Sequence, residues 1–97
     1  MNIKAMKKRA DEATGLMRAL SNPYRLMILC ELHDGERSVG ELEQLVGLKQ
    51  SPLSQHLAKL RRDGLVATRR EAQTIHYSLA SPEARKVIGL LYRLYCN

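Results

Sequence analysis

The feature that most restricts the fold of this chain is a pair of short helices, predicted over residues 38–62 and separated by a tight turn. Ser38 and Glu41 form a capping-box pattern, which is typical of the first turn of a helix. Gly47 is a residue type that commonly ends a helix, and the turn at 48–49 follows it directly. The segment is therefore predicted to be a helix-turn-helix.

The longer helix of this pair, residues 50–62, is predicted to bury one face and expose the other. Its buried face is a leucine stripe at i, i+4 and i+7 spacing, formed by Leu53, Leu57 and Leu60. At about 3.6 residues per turn, the opposite face carries small hydroxyl and amide side chains first and cations later. Such side chains suit base edges in the major groove, while lysine and arginine suit phosphates. The candidate DNA-binding residues of this helix are Gln50, Ser51, Ser54, Gln55, His56, Lys59 and Arg62.

Two simpler interpretations remain open for this helix. Its polar face could be the ordinary solvated face of a helical bundle. His56 falls at the edge of the leucine stripe, so packing or support of a neighbouring contact is expected before direct contact with DNA. The capped helix that precedes it and the basic segment that follows it favour DNA binding over a solvated face.

A β-hairpin is predicted after the helix pair, with strands over 65–70 and 74–79. The second strand alternates Ile75, Tyr77 and Leu79 with polar residues, which predicts that these three side chains point inward. Polar residues at the hairpin tip would reach flanking phosphates or the minor groove, as a wing does. The candidate DNA-binding residues of the hairpin are Arg69, Arg70 and Gln73.

Further helices are predicted on both outer sides of these elements. Residues 5–20 form the first, and Asn22 with Pro23 is a typical start for the second, which runs to about residue 32. Ser81 and Pro82 begin a last helix in the same way. The apolar stripe of that helix is Val87, Leu91 and Leu94. This order predicts a mainly α fold with a small β-hairpin wing, that is, a winged helix-turn-helix.

The 97 residues are predicted to form one domain, residues 1–97, with a core limited by its small size. A single reading helix gives little specificity, so recognition of two half-sites about one helical turn apart predicts a two-fold homodimer. The outer helices carry apolar residues beyond what the reading core covers. The chain is therefore divided into dimerisation helices at 1–20 and 82–97, a helix-turn-helix at 38–62 and a wing at 65–79.

The charge of the chain favours double-stranded operator DNA as its partner. The formal net charge is +6, with an acidic segment at 30–48 followed by a basic one at 49–76. Solvated surface would also explain such charge runs. An acidic helix followed by a basic one nevertheless suits a reader whose second helix alone enters a groove.

No targeting segment or membrane partner is predicted. The N-terminus lacks an apolar signal region, and the apolar run at 26–30 is too short to span a bilayer, so a cytoplasmic location is expected. There, Cys30 and Cys96 are candidates for inert core, metal ligands or redox groups. A thiol oxidoreductase would need Cys-x-x-Cys on a βαβ pattern, and neither is present. The chain is predicted not to be an enzyme and to need no cofactor.

Four runs of the sequence carry a family resemblance. They are Ala-Leu-Ser-Asn-Pro-Tyr-Arg-Leu at 19–26, Ser-Val-Gly-Glu-Leu at 38–42, Ser-Gln-His-Leu-Ala-Lys-Leu-Arg at 54–61 and Asp-Gly-Leu-Val at 63–66. These runs resemble the ArsR/SmtB family of bacterial repressors over nearly the whole chain. The resemblance implies a homodimeric winged helix that represses transcription until an inducer releases it from the operator.

Many members of that family sense metals, but their ligands are missing from this sequence. The arsenic and cadmium branch carries Cys-Val-Cys where this chain has Ser-Val-Gly at 38–40. The zinc and nickel branch needs Asp, His and Glu along the last helix, which here offers only Glu83. No metal site is therefore predicted at either position.

Cys30, Cys96 and the ending at 90–96 resemble instead the BigR/SqrR/HlyU branch of the family. There the matching cysteines sense reactive sulfur species or oxidants by forming an intrasubunit disulfide or polysulfide bridge. The resemblance implies that Cys30 and Cys96 are redox-sensing and that their bridge releases the operator. A disulfide would need the two Cα atoms within about 7 Å of each other.

The residues themselves, without the resemblance, leave alternatives to this thiol switch open. Cys30 shares a helix face with Leu26 and Met27 and could be inert core, whereas Cys96 is expected to be accessible. A metal-responsive repressor could use Cys30, His33 and Cys96 as ligands of a thiophilic ion. An anti-silencing regulator of the HlyU type is another possibility. The last alternative is a helical protein-interaction module that does not bind DNA. Its binding to a partner would lack the steep salt dependence of phosphate binding.

Overall fold

The computed structural model describes residues 1–96. The elements in this range are α1 (Ile3–Leu20), α2 (Pro23–His33), β1 (Arg37–Ser38), α3 (Val39–Val46), α4 (Gln50–Arg62), β2 (Val66–Glu71), β3 (Thr74–Leu79) and α5 (Pro82–Cys96). The strands form one antiparallel sheet in the order β1-β3-β2. Helices α3 and α4 are the helix-turn-helix, and strands β2 and β3 are the wing. The predicted mainly α winged helix-turn-helix is confirmed.

Side-chain caps begin α2 and α3 at the predicted residues. The Asn22 side chain accepts hydrogen bonds from the backbone N–H groups of Tyr24 and Arg25, at 2.9 and 3.1 Å. Ser38 Oγ accepts from the Glu41 N–H at 3.1 Å, and the Glu41 carboxylate accepts from the Ser38 N–H at 2.8 Å. Each cap satisfies N–H groups that have no partner inside the helix, so local sequence is enough to place these helix starts.

The turn between α3 and α4 depends on Gly47. Its φ angle is 79°, in the left-handed region, and its N–H donates to the Glu43 carbonyl at 3.0 Å. A residue with a Cβ would be strained in this conformation. The turn sends the chain into α4 at Gln50, so the polar end of α4 projects from the helix pair.

One apolar core lies beneath the helix-turn-helix. The predicted leucine stripe of α4 is fully buried, with Leu53 and Leu60 at 0% exposure and Leu57 at 1%. The other side chains that are almost fully enclosed are Ile28, Leu29, Leu32, Leu42 and Ile88. Helix α2 supplies three of these and contacts all four other helices and strand β3, so it is the central helix of the core.

The start of α1 and the presence of β1 differ from the prediction. Helix α1 begins at Ile3 rather than residue 5, since the Asn2 side chain caps it through the N–H groups of Lys4 and Ala5. Strand β1 was not predicted, because Arg37–Ser38 is too short to show alternation and is a strand only through its pairing with β3.

Helix α5 uses a different apolar face for the core than the prediction assigned. Its buried residues are Ala84 and Ile88, while the predicted stripe lies outside the core. Val87 and Leu91 are half-buried, and Leu94 is 62% exposed. Helix α5 therefore has two apolar faces. Asn97, the last residue of the predicted dimerisation segment, lies outside the described residues. None of the helices within 1–96 is long and apolar enough to cross a membrane.

Candidate nucleic-acid interface and thiol pair

The outer face of α4 presents polar side chains to solvent, because the leucine stripe holds the opposite face in the core. The predicted contact residues that are exposed on this helix are Gln50, Ser51, Ser54, Gln55, Lys59 and Arg62. Uncharged hydroxyl and amide groups stand at the N-terminal end, and the basic side chains stand in the last turn. Such an arrangement can offer hydrogen bonds to base edges at one end and cations to phosphates at the other.

His56 is half-buried beside this face, as its position at the edge of the stripe predicted. Its ring stacks on that of Tyr24, with centroids 6.1 Å apart and 30° between the planes. Burial lowers the pKa of the imidazole, and the nearby cations Arg25 and Lys59 lower it further. Tyr24 was missed in the sequence, where an aromatic residue near a helix start carries no signal of a long-range partner.

The three predicted contact residues of the wing differ in their side-chain contacts. Arg70 and Gln73 are exposed, but Arg69 lies within β2 opposite His76. Its guanidinium donates to both carboxylate oxygens of Glu36, with the shortest distance 2.7 Å. A carboxylate 33 positions away in the chain thus already binds Arg69, and the contact of Arg69 with DNA stays a prediction.

The two cysteines lie on α2 and α5, two helices that contact each other. Cys30 is half-buried against the core, and Cys96 is exposed at the end of α5. Burial is the main reason that the pKa of the Cys30 thiol is raised, and Coulomb interactions with Cys96, Glu31 and Asp34 raise it further. The Cys30 thiol is therefore less readily ionised than the thiol of a free cysteine.

Helix α5 is held against the end of α2 that carries Cys30. Arg85 Nη1 donates to the His33 carbonyl at 3.2 Å, and Ile88 is buried at the same contact. A Cβ at Gly89 would lie 3.5 Å from His33 Nε2, so the helices approach closely there. Across the described part of the chain, no three His, Cys, Asp or Glu side chains converge as ligands of a metal ion.

An apolar groove between α1 and α5 stays uncovered in the single chain. Its lining residues are Ala13, Leu16, Met17, Leu20, Ser21, Val87 and Leu91. Met17 is 69% exposed, a large value for an apolar side chain in a regular helix. The groove joins the two helices that the sequence assigned to dimerisation, and it is continuous with the second apolar face of α5.

Three comparisons relate this chain to known proteins. A family model described as "Bacterial regulatory protein, arsR family" matches residues 22–68. The chain is 56% identical over 97 residues to the transcriptional activator HlyU of Vibrio cholerae, covering 100% of this chain and 90% of that protein. It is 46% identical over 97 residues to the biofilm growth-associated repressor of Xylella fastidiosa, covering 100% and 85%. These relatives are regulators of transcription, not enzymes.

Solved structures of HlyU, BigR and a related DNA-binding domain are also similar to this chain. Reduced HlyU from Vibrio cholerae has a TM-score of 0.92 at 55% identity, covering 97% of this chain and 99% of that one. The repressor BigR from Xylella fastidiosa has a TM-score of 0.94 at 45% identity, covering 100% and 99%. A homodimeric winged helix-turn-helix DNA-binding domain from Mycobacterium bovis has a TM-score of 0.79 at 30% identity, covering 97% and 85%.

Proposed function

Because the chain belongs to the ArsR family of bacterial regulatory proteins, we propose that it is a homodimeric repressor released from its operator when Cys30 and Cys96 are bridged. The family assignment makes it a transcriptional regulator. The observation that supports the thiol switch most directly is that Cys30 and Cys96 lie on α2 and α5, two helices that contact each other, with Arg85 of α5 donating to the His33 carbonyl of α2. That contact joins the central core helix to a helix with an uncovered apolar face.

In the proposed complex, the exposed face of α4 lies in the major groove. Ser51, Ser54 and Gln55 offer hydrogen bonds to base edges, and Gln50 extends this set to the start of the helix. Lys59 and Arg62 bind phosphates. The wing adds Arg70 and Gln73 at the flanking backbone or minor groove, while His56 supports α4 from behind.

Homodimerisation is proposed to occur through α1 and α5, residues 1–20 and 82–97. A second copy that covers the α1–α5 groove would remove exposed apolar side chains such as Met17 and Leu94 from water. The domain from Mycobacterium bovis is described as homodimeric, which supports the same assembly here. Two reading helices about 34–36 Å apart would then fit successive major grooves.

The bridging chemistry requires an electrophilic sulfur species. One thiolate attacks a sulfur of an inorganic polysulfide, its S–S bond breaks, and a shorter sulfide leaves, which gives a cysteine persulfide or polysulfide. The second thiolate attacks that sulfur chain and expels hydrosulfide, so two thiol protons and two electrons leave the protein. Cys96 is proposed to attack first because it is exposed, whereas the Cys30 thiolate is disfavoured by burial.

The bridge would act by changing the geometry of the dimer. It ties α2, which packs against α4, to α5, which is proposed to pack on the partner, so it couples the thiols to the spacing of the reading helices. A coupling free energy of about 1–3 kcal/mol would weaken operator binding about 5- to 150-fold. Reduced protein is therefore proposed to bind tightly and bridged protein weakly.

Activation is the second candidate outcome, since the relative HlyU is described as a transcriptional activator. A small regulator bound across a promoter blocks polymerase and represses. The same regulator activates if its operator overlaps the site of another silencing protein. Transcription in vitro from the operator template, with polymerase and this protein alone, separates the two: repression lowers the transcript, and anti-silencing leaves it unchanged.

The thiol switch is tested by operator affinity before and after anaerobic treatment with inorganic polysulfide, together with intact mass. We expect weaker binding and a mass increase from bridging sulfur in the unaltered protein, and constant tight binding in Cys30→Ser and Cys96→Ser. A Cys30→Ser variant that polysulfide still releases would rule out the switch. Release of fully reduced protein by zinc or copper would instead support the metal-responsive alternative.

A further inference from the structure

We infer that Arg69 is a positioning residue that fixes the wing to the body of the domain through Glu36 and does not contact DNA. The inference rests on the proposed DNA-reading function, because it assigns different roles to the two adjacent arginines of β2. Arg70 stays the wing cation that faces the phosphates, and Arg69 sets the orientation in which the wing presents it.

The Glu36–Arg69 pair has the geometry of a specific link. Arg69 Nε lies 3.0 and 2.9 Å from the two carboxylate oxygens of Glu36, and Nη2 lies 2.7 Å from Oε1. This side-on, bidentate arrangement fixes the orientation of both groups. The hydrogen bond from Arg69 is also the main reason that the pKa of the Glu36 carboxyl is lowered.

The pair crosses the whole sheet. Arg69 on β2 is in register with His76 on β3, and His76 is in register with Ser38 on β1. Directly opposite residues of antiparallel strands point to the same face, and so do residues two apart, so Glu36 lies on this face beside β1. The Arg69 side chain therefore passes over His76, whose side chain is 19% exposed, and joins the outermost strand to the segment before β1.

The base of the wing packs on the core through Val66, Tyr77 and Leu79, whereas residues 69–74 around its turn are exposed and are not held in this way. Its hairpin turn places Ala72 at a φ of 55°, a conformation that L residues with a Cβ avoid. Strand β1, which joins the wing to the rest of the sheet, is only Arg37–Ser38. An exposed ion pair adds little to global stability, but here it restrains a projecting hairpin and so acts mainly on orientation.

The surroundings of Arg69 are also unfavourable for a phosphate. Its Nε and Nη2 are bound by Glu36, and Nη1 lies 3.4 Å from a Glu71 carboxylate oxygen. The carboxylates of Glu36 and Glu71 both face the single guanidinium of Arg69, so negative charge exceeds positive charge among these three side chains. Arg70, the next residue, projects to the opposite face of the strand and is exposed.

The test compares Arg69→Gln, Glu36→Gln and the charge-swapped double variant Glu36→Arg/Arg69→Glu in the reduced full-length protein, with Arg70→Gln as the matched control. Hydrogen exchange of residues 66–79 measures wing order without DNA. The salt dependence of operator affinity measures phosphate contacts, since loss of one contact lowers the slope by about 1.

We expect both single variants at the Glu36–Arg69 pair to speed exchange in the wing and to weaken binding by a similar several-fold factor at unchanged salt slope. The charge-swapped variant should restore protection, and Arg70→Gln should lower the slope while wing exchange stays slow. Unchanged exchange in Arg69→Gln would overturn the inference. So would a lowered slope in Arg69→Gln combined with tighter binding in Glu36→Gln, which would make Arg69 a DNA contact restrained by Glu36. If Arg70→Gln leaves operator affinity unchanged, the proposal that the wing contacts DNA is wrong. The hydrogen-exchange rates of the wing still decide whether Arg69 positions it.

Discussion

Tyr24 and His56 stack across the contact between α2 and α4, with ring centroids 6.1 Å apart. Tyr24 lies in the first turn of α2, which the Asn22 cap fixes, and His56 lies on the flank of the exposed face of α4. The stack therefore helps to fix the rotation of α4, the proposed reading helix, about its axis relative to α2, the central helix of the core. The burial that accompanies it also makes His56 a reporter of this contact.

His56 is expected to titrate below its ordinary pKa of 6.5, because burial and nearby cations disfavour the imidazolium. A folded-state pKa below the unfolded value means that this contribution to stability is present above about pH 6.5 and is lost as pH falls through the lower folded pKa. NMR titration of the imidazole, assigned with His56→Gln, measures it. Tyr24→Ala should move the pKa back toward 6.5, and a His56 pKa above 6.5 in the unaltered protein would contradict the prediction.

The thiols are expected to react with iodoacetamide at different rates, Cys96 first. Cys96 is exposed, while burial raises the pKa of Cys30 and lowers its thiolate fraction at neutral pH. Timed quenching and peptide mass spectrometry give both rates. Cys96→Ser is the control, because it isolates the rate at Cys30 from any reaction of a second thiol. Equal rates at the two sites in the unaltered protein would count against the proposed order of attack.

Replacement of Gln55 by alanine and replacement of Lys59 by alanine are expected to weaken operator binding in different ways. Loss of Gln55 should cost about 1–3 kcal/mol and relax the preference for one base pair, because amide groups read base edges. Loss of Lys59 should weaken binding to all sequences alike and lower the salt slope by about 1. Binding of both variants to an operator and to its single-base variants, at several salt concentrations, separates the two. A uniform loss in Gln55→Ala would make it a backbone contact.

Leu42 and Leu45 form a matched pair on α3, with exposures of 0% and 52%. Leu42→Ala should lower the free energy of unfolding by about 2–5 kcal/mol, because it opens a cavity in the core. Leu45→Ala should change it by no more than about 0.5 kcal/mol. Urea denaturation at fixed protein concentration measures both. Similar losses would mean that Leu45 is covered in the native assembly.

Ala72→Gly is expected to stabilise the protein by up to about 1 kcal/mol, because a left-handed φ costs an L residue about 1–2 kcal/mol and the greater backbone entropy of glycine offsets about 0.5–1 kcal/mol of this gain. Ala67→Gly, in strand β2 of the same hairpin, is the control and should be destabilising. Thermal unfolding compares the two. Destabilisation by both variants would show that the backbone of Ala72 is not strained.

Much of the fold was predictable because its signals are local. The caps at Asn22 and Ser38 and the leucine stripe of α4 each act within one or two helical turns, so spacing alone reveals them. The exposed residues of the proposed reading face follow from the same periodicity. Strand β1 and the core face of α5 could not be read in this way, since a partner strand and a neighbouring helix determine them.

The sequence by itself determined that a helix-turn-helix forms, where its helices begin and which face of α4 is polar. Only the tertiary structure decided that Arg69 is bound by Glu36, that His56 stacks on Tyr24 and that the helices carrying Cys30 and Cys96 contact each other. Hydrogen bonds within a helix and helical periodicity connect residues a few positions apart. Side chains from distant segments meet only after the core has packed, and no local pattern encodes those contacts.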